Sequence, residues 1–202
     1  MTRLNDYGWG SGRQGSVGTV GAAVLSSLKD LKAGRVLDVG CGNGELASVL
    51  SDAGFDIFGV DGDPRGIEIA KERSPHITFD VVDFGDPAPS GFDAVVTTEV
   101  VEHLYSPGDL IRFCREALQP GGHLILTTPY HGYLKNLALS VADAWDEHHH
   151  SLKDGGHIKF FSRKSITELL NEYGFKVTSF SGVGRFPYLW KSMIVCARKC
   201  PK

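Results

Sequence analysis

Two glutamates and a histidine stand close together in the segment Thr98–Leu104. If a helix begins here, Glu99, Glu102 and His103 occupy positions i, i+3 and i+4 and share one helix face. Two carboxylates and an imidazole suit a divalent cation, and His157, in a later Gly-Gly-His sequence, could add a fourth ligand. The spacing therefore predicts a metal site.

The same residues admit two other interpretations. His103 could act as a general base without a metal, because an imidazole with a pKa of about 6.5 is suited to proton transfer near neutral pH. Alternatively, the group could be structural, with Glu99 placing negative charge in a first helical turn, where it is favourable.

A glycine-rich turn follows an apolar strand in the sequence Leu37-Asp38-Val39-Gly40-Cys41-Gly42-Asn43-Gly44. Glycines let the backbone bend tightly and approach a ligand closely. Dinucleotide-binding turns are similar, but Glu45 occupies the position of their third glycine. Asp38 lies inside the strand, where a cationic amino-acid group would find a partner. The turn predicts a nucleoside-cofactor site.

Acidic residues also follow the next two strands. Asp61 lies 21 residues beyond Gly40, where a carboxylate can accept hydrogen bonds from both ribose hydroxyls. Asp83 could accept from an adenine amino group while Phe84 packs against the ring. The alternative for both aspartates is an ordinary strand-end turn.

These residues need a sheet to bring them together. Apolar spacing predicts strands over 35–39, 55–60, 77–82, 92–97, 123–128, 175–181 and 188–197, and helices over 17–31, 45–53, from 64 onward, 107–118 and 165–173. Alternating strands and helices indicate an α/β protein with a doubly wound parallel sheet and helices on both faces. We expect a single domain over 1–202, with an N-terminal arm and helix over 1–30 and an inserted lid or substrate segment over 130–162.

Composition narrows the partners and the compartment. The chain has 202 residues and a net charge of −3, without the basic face that nucleic-acid binding favours. The four cysteines show no zinc or redox spacing, and no signal peptide or membrane-spanning run is present. We therefore expect a cytoplasmic protein with a small-molecule acceptor. The oligomeric state stays open.

The glycine turn, Gly59-Val60-Asp61, Val82-Asp83 and Leu118-Gln119-Pro120-Gly121-Gly122-His123-Leu124 together resemble class I S-adenosylmethionine-dependent methyltransferases. The resemblance spans roughly residues 30–130. It implies a seven-stranded sheet with one antiparallel strand and S-adenosylmethionine bound at the carboxyl ends of the strands. The cofactor-binding residues predicted on this basis are Asp38, Gly40, Cys41, Gly42, Asp61, Gly62, Asp83, Phe84 and Glu99.

A narrower resemblance concerns the acidic cluster. The pattern Glu99-x-x-Glu102-His103 with His157 resembles the metal site of ubiquinone-biosynthesis O-methyltransferases, and small-RNA 3′-terminal 2′-O-methyltransferases carry a similar set. This implies O-methylation of a hydroxyl with Glu102 and His103 as catalytic residues and Mg²⁺ or another divalent cation as metal. The RNA enzymes need a basic surface, which the acidic composition of this chain does not indicate.

Several alternatives stay open at this point. They are a metal-free N- or C-methyltransferase, an RNA methyltransferase, a nicotinamide-dependent oxidoreductase and a non-catalytic cofactor-binding module. The tract His148-His149-His150 could place one or two rings in the site or form a polar loop. Tyr130 and Trp145 could line an acceptor pocket or pack structurally, and Tyr7 and Trp9 could close over the cofactor or pack on the sheet edge.

Overall fold

The computed structural model describes residues 15–149 and 156–201. The strands in these ranges are β1 Arg35–Val39, β2 Asp56–Asp61, β3 Thr78–Val81, β4 Phe92–Thr98, β5 Leu118–Pro129, β6 Phe175–Val183 and β7 Ser192–Lys199. The helices are α1 Gly15–Leu31, α2 Glu45–Asp52, α3 Pro64–Arg73, α4 Pro107–Ala117, α5 Tyr133–Val141, α6 Trp145–His149 and α7 Arg163–Glu172, and a 3₁₀ helix covers Val101–His103.

All seven strands form one sheet in the order β3-β2-β1-β4-β5-β7-β6. Neighbouring pairs from β3 to β5 are parallel, whereas β7 runs antiparallel to both β5 and β6. The predicted doubly wound sheet with one antiparallel strand is confirmed. The order reverses between β1 and β4, and α/β proteins bind ligands in the crevice at the carboxyl ends of the strands at such a point.

Apolar side chains cover both faces of the sheet. Val24, Leu50 and Ile67 from α1, α2 and α3 are buried on one face. Leu110 and Ile166 from α4 and α7 are buried on the other. Burial on both faces explains why the central strands read as continuous apolar runs.

Local sequence signals fix where two of the helices begin. Pro64 is the first residue of α3, and the Asp63 side chain accepts a hydrogen bond from the Arg65 amide at 2.9 Å. Ser162 and Ser165 form a reciprocal capping box at the start of α7. The first cap matters for the site because it lies directly after Asp61.

Two predicted strand boundaries are wrong. β5 begins at Leu118 rather than His123, because Leu118 pairs with Phe92 and the β4–β5 ladder takes up the intervening turn residues as an irregularity. β7 begins at Ser192 rather than Tyr188. A positive φ of 65° removes Tyr188 from the extended backbone of a strand.

The segment predicted as an insertion contains two helices, α5 and α6, that the hydrophobic pattern does not predict. In α5 the usual polarity is reversed, because Lys135 is buried whereas Tyr133, Leu137 and Val141 are exposed. An apolar face turned to solvent makes such a helix hard to recognise from hydrophobic spacing.

The structure also bears on the cysteines and on membrane spans. All four cysteines are free. None of the helices in the described ranges is both long and apolar enough to cross a bilayer.

Candidate active site

The carboxyl ends of β1 and β2 hold the predicted cofactor turn in place. The amides of Gly40 and Cys41 both donate to the Val60 carbonyl, at 2.8 and 3.1 Å. The Cys41 side chain is buried in the core beside α2 and α3, so only its backbone is available to a ligand. The turn is therefore anchored to the neighbouring strand before any ligand binds.

Asp38 lies in β1, directly before this turn, and has no partner for its buried carboxylate among the described residues. Its side chain is 0% exposed, and neither carboxylate oxygen accepts a hydrogen bond from any described residue. Burial, reinforced by the neighbouring Asp61 carboxylate, raises the pKa of Asp38 to about 7. Burying a carboxylate without a partner costs free energy. A cationic or hydrogen-bond-donating group of a ligand would supply the missing partner.

Asp61 has a role that the sequence does not reveal. One oxygen accepts from the Gly42 amide and the other from the Asp63 amide, both at 2.8 Å. The carboxylate thus ties the glycine turn to the start of α3, while burial raises its pKa. Each oxygen keeps a second lone pair, so the predicted bonds to ribose hydroxyls remain possible.

The loop after β3 lines a cavity of about 300 Å³. Asp83 and Phe84 form one wall, with Leu104 and Tyr105 among the other lining residues. Phe84 packs edge-on against Phe113, with ring centroids 5.6 Å apart. Gly62, which follows β2, does not line this cavity, and an added Cβ there would meet nothing closer than the Val82 carbonyl oxygen at 3.9 Å. A flat aromatic group such as adenine would suit this cavity.

No α-helix begins at Glu99, so the condition for a shared helix face is not met. Glu99 has a φ of 55°, and only a single 3₁₀ turn, Val101–His103, follows. A left-handed glutamate is strained backbone, and such positions concentrate at functional sites. As a result Glu99, Glu102 and His103 do not share the face of a regular α-helix.

Glu99 is turned towards β5 and β7 instead of joining the metal-type cluster. Thr127 Oγ1 donates to its Oε1 at 2.9 Å, and Ser192 Oγ donates to its Oε2 at 3.3 Å. Burial raises the pKa of Glu99, and these two hydroxyls partly oppose the increase. The four-ligand set predicted from the sequence therefore lacks Glu99 in this structure.

Glu102, His103 and His157 do come together. One ligand atom from each residue lies within 4.8 Å of the others. The His103 and His157 rings meet edge to face with centroids 5.0 Å apart. The two amides after His157, those of Ile158 and Lys159, donate to the Glu102 carbonyl at 2.9 and 3.0 Å, which explains how so distant a segment reaches the cluster.

Glu102 is held rigidly but incompletely satisfied. Its side chain is 1% exposed, and Thr128 Oγ1 donates to its Oε2 at 3.0 Å. Its Oε1 has no hydrogen-bond partner among the described residues. Burial, together with the nearby Glu99 carboxylate, raises the pKa of Glu102. A cation beside Oε1 would offset both the free-energy cost of burying this carboxylate and its repulsion from Glu99.

Thr127, Thr128 and Ser192 are the residues that sequence reasoning missed. Polar side chains in a buried strand were a signal, since Thr127 and Thr128 end an otherwise apolar run. Their pairing with two glutamates depends on strand neighbours and could not be read from spacing.

The structure also gives contacts for the other residues predicted to line the site. Tyr130 is buried edge-on against Trp190, with ring centroids 5.1 Å apart. The Trp145 Nε1 atom donates to Ser140 Oγ at 2.9 Å, a hydrogen bond that connects α6 with α5. His148 meets His131 with centroids 5.5 Å apart. His149 ends α6, and His150, Tyr7 and Trp9 fall outside the described residues.

Comparison with known proteins decides between the cofactor alternatives. A profile of the methyltransferase domain family matches residues 20–179. Ubiquinone biosynthesis O-methyltransferase from Cereibacter sphaeroides is 32% identical over 169 residues, or 77% of this chain and 66% of that protein. The enzyme of the same name from Roseobacter denitrificans is 31% identical over 175 residues, covering 82% of this chain and 69% of that one. The chain spans about two thirds of the length of these curated relatives.

Solved structures share the fold. Magnesium protoporphyrin IX methyltransferase from Synechocystis PCC 6803 with bound SAH has a TM-score of 0.69 at 20% identity, covering 89% of this chain and 82% of that one. Mitomycin 7-O-methyltransferase has a TM-score of 0.71 at 19% identity, covering 89% and 53%. At these identities the similarity describes architecture alone.

The chain belongs to the class I S-adenosylmethionine-dependent methyltransferases. This family takes S-adenosylmethionine as its cofactor, which sets aside the nicotinamide alternative.

One prediction tests the glycine turn directly. Gly40 has a φ of +76°, and an added Cβ would lie 2.4 Å from Val100 Cγ2. We expect Gly40→Ala to destabilise the protein by about 1–3 kcal/mol and to weaken S-adenosylhomocysteine binding. Thermal unfolding and calorimetric titration would measure the two effects.

Gly18→Ala is the matched control. Gly18 lies in α1, and nothing stands within 4 Å of an added Cβ. This change should stabilise the protein by about 0.5–1 kcal/mol and leave cofactor affinity alone. Wild-type stability and affinity in Gly40→Ala would contradict the close approach between the turn and Val100.

Proposed function

We propose that this enzyme transfers a methyl group from S-adenosylmethionine to a hydroxyl of a small-molecule acceptor, assisted by a divalent cation at Glu102, His103 and His157. The supporting observation is the convergence of three ligand atoms within 4.8 Å at Glu102, whose buried Oε1 accepts no hydrogen bond from the described residues. Relatives named as O-methyltransferases support a hydroxyl as the accepting group.

The cofactor residues of this proposal follow from the turn and its neighbours. Asp38 would accept from the ammonium group of the methionine moiety, which supplies the partner that its buried carboxylate lacks. Asp61 would accept from the ribose hydroxyls with its remaining lone pairs. Asp83 and Phe84 would contact adenine in the cavity after β3. The sulfonium would then face the end of β4, towards Glu102.

The donor set at Glu102 fits a divalent cation, because carboxylate and imidazole ligands suit Mg²⁺, Mn²⁺ or Zn²⁺ to different degrees. When bound, such an ion would lower the pKa of the acceptor hydroxyl. Thr128 holds one Glu102 oxygen, so the other is directed at the cluster. His103 Nδ1 donates to the Gly156 carbonyl at 3.3 Å, and its Nε2 lies 3.9 Å from Glu102 Oε1.

The reaction itself is a displacement in line with the carbon–sulfur bond. The acceptor oxygen forms a bond to the methyl carbon while the bond to sulfur breaks and its electron pair returns to sulfur. The acceptor hydroxyl gives its proton to water. The products are a methyl ether, S-adenosylhomocysteine and a proton, and the chain's main contribution is alignment.

Chelation is the experiment that tests the metal proposal. We expect methyl transfer from labelled S-adenosylmethionine to a phenolic acceptor to stop with EDTA and to return when excess Mg²⁺, Mn²⁺ or Zn²⁺ is added. Full activity under chelation, together with full activity of Glu102→Ala, would overturn the proposal.

A metal-free mechanism is the second candidate, and one observation favours it. His103 Nε2 lies 3.9 Å from Glu102 Oε1, so a carboxylate–imidazole pair could accept the proton alone. In that case chelation would leave turnover unchanged, whereas His103→Gln would abolish it. The same assay therefore separates the two mechanisms.

A further inference from the structure

Lys135 is a buried cation that the proposed mechanism does not use. It projects from α5, is 2% exposed, and its Nζ donates to the Lys191 carbonyl at 3.3 Å. Among the residues that the structure describes, this carbonyl is its single hydrogen-bond acceptor. An ammonium group has three donors, and burying it without matching acceptors or a counter-charge is costly.

Among the described residues, the charged groups around Lys135 do not neutralise its positive charge. Burial, followed by repulsion from Arg185, lowers its pKa to about 8, and Glu99 opposes the decrease. Glu99 forms no ion pair with Lys135 within 4.0 Å and already accepts from the hydroxyls of Thr127 and Ser192. Lys191 adds a further positive charge near Glu99. The region is locally cationic in a chain whose net charge is −3.

Lys135 and Lys191 lie at the β5–β7 side of the sheet, away from the cofactor turn after β1. Lys191 comes just before β7, and its carbonyl also accepts from the Tyr130 amide at 3.2 Å, at the end of β5. Glu99 follows β4, three residues before Glu102. The cofactor turn follows β1, and β4 lies between β1 and the β5–β7 pair.

We propose that Lys135, with Arg185 and Lys191, forms a subsite for a carboxylate group of the methyl acceptor. The inference rests on the proposed function for the identity of the acceptor site. Arg185 and Lys191 are exposed, whereas Lys135 is buried and has the Lys191 carbonyl as its single hydrogen-bond acceptor among the described residues. A carboxylate there would replace a single carbonyl contact with charge-assisted hydrogen bonds. The bound acceptor would then be fixed at two points, its anionic group and its hydroxyl.

A matched pair of probes tests this subsite without any need for turnover. The protein saturated with S-adenosylhomocysteine is titrated calorimetrically with 3,4-dihydroxybenzoate and with neutral 3,4-dihydroxybenzamide. We expect the carboxylate to bind about tenfold tighter or more. Lys135→Met should bring the two affinities within about twofold, since methionine keeps the buried chain but removes the charge.

Two further variants keep the test decisive. Lys71→Met removes an exposed lysine of α3 and should preserve the preference. The double variant Arg185→Ala, Lys191→Ala removes only exposed side chains, so it should fold even if Lys135→Met does not, and it should reduce the preference about threefold or more. A wild-type protein that binds neither probe or shows no preference would overturn the proposal, as would a preference kept in every variant that folds.

The second possible source of a carboxylate is the cofactor itself. If Lys135→Met weakens S-adenosylhomocysteine binding relative to Lys71→Met, the cation serves the methionine carboxylate and the acceptor proposal is wrong. Failure of the metal mechanism would look different. Turnover would then resist chelation while the preference for the carboxylate probe persisted.

Discussion

Replacing Glu102 with glutamine is expected to lower kcat/KM by roughly 10³-fold, because the several kcal/mol that a Lewis acid contributes would be lost with its anionic ligand. Glutamine keeps the shape of the side chain and its contact with Thr128. Since the change removes a buried carboxylate with a raised pKa, thermal stability should hold or increase. Steady-state kinetics and thermal unfolding would separate the two effects.

Glu116→Gln is the control for this prediction. Glu116 is exposed on α4, away from the carboxyl edge of the sheet, so its loss should leave kcat/KM within about twofold of the wild type. A Glu102→Gln enzyme that also stays within about threefold would show that the carboxylate takes no part in catalysis.

Asp38→Asn is expected to have the second largest effect. It should weaken cofactor binding but stabilise the folded protein. The loss of a charge-assisted hydrogen bond to the cofactor ammonium should weaken S-adenosylhomocysteine binding by about 10–100-fold. The cofactor-free protein should become more stable near pH 8, because the variant no longer buries an unpartnered negative charge.

The raised pKa of Asp38 also predicts how the stability of the wild type changes with pH. The pKa of Asp38 rises from 3.8 to about 7 on folding, so the folded state holds the proton more tightly than the unfolded state between these values. Stability of the wild type should therefore fall as the pH rises from about 4 to 7, with a full loss on the order of 4 kcal/mol above pH 7. Below pH 4 the wild type and Asp38→Asn should converge.

Chemical denaturation at several pH values would measure this difference, with Asp52→Asn on the exposed face of α2 as the control. A wild-type stability that does not decrease between pH 4 and 7 relative to Asp38→Asn would contradict the unpartnered state of the carboxylate.

Much of the fold could be predicted from short-range pattern. The central strands are apolar runs because both faces of the sheet are covered, and the glycine turn, Asp61 and Asp83 follow consecutive strands. Because β1, β2 and β3 are parallel neighbours, the segments that follow them meet at the same edge of the sheet. Strand ends were less predictable, as β5 shows, because pairing of Leu118 with Phe92 outweighs the turn preference of Pro120-Gly121-Gly122.

The acidic site was harder to predict for a physical reason. The left-handed backbone of Glu99 is imposed by its surroundings, including the hydrogen bond from its amide to the Thr127 carbonyl at 3.1 Å. His157 reaches Glu102 through backbone bonds from the next two residues. Lys135 is buried by a helix whose polarity is reversed. Each depends on contacts between distant segments, which residue spacing does not encode.

The most direct test of the account is a titration of Mn²⁺ into the protein saturated with S-adenosylhomocysteine, with free Mn²⁺ followed by electron paramagnetic resonance. We predict one bound ion per wild-type chain and none in Glu102→Gln at the same concentrations. Absence of bound Mn²⁺ in the wild type, or equal binding in the variant, would contradict a metal site at Glu102, His103 and His157.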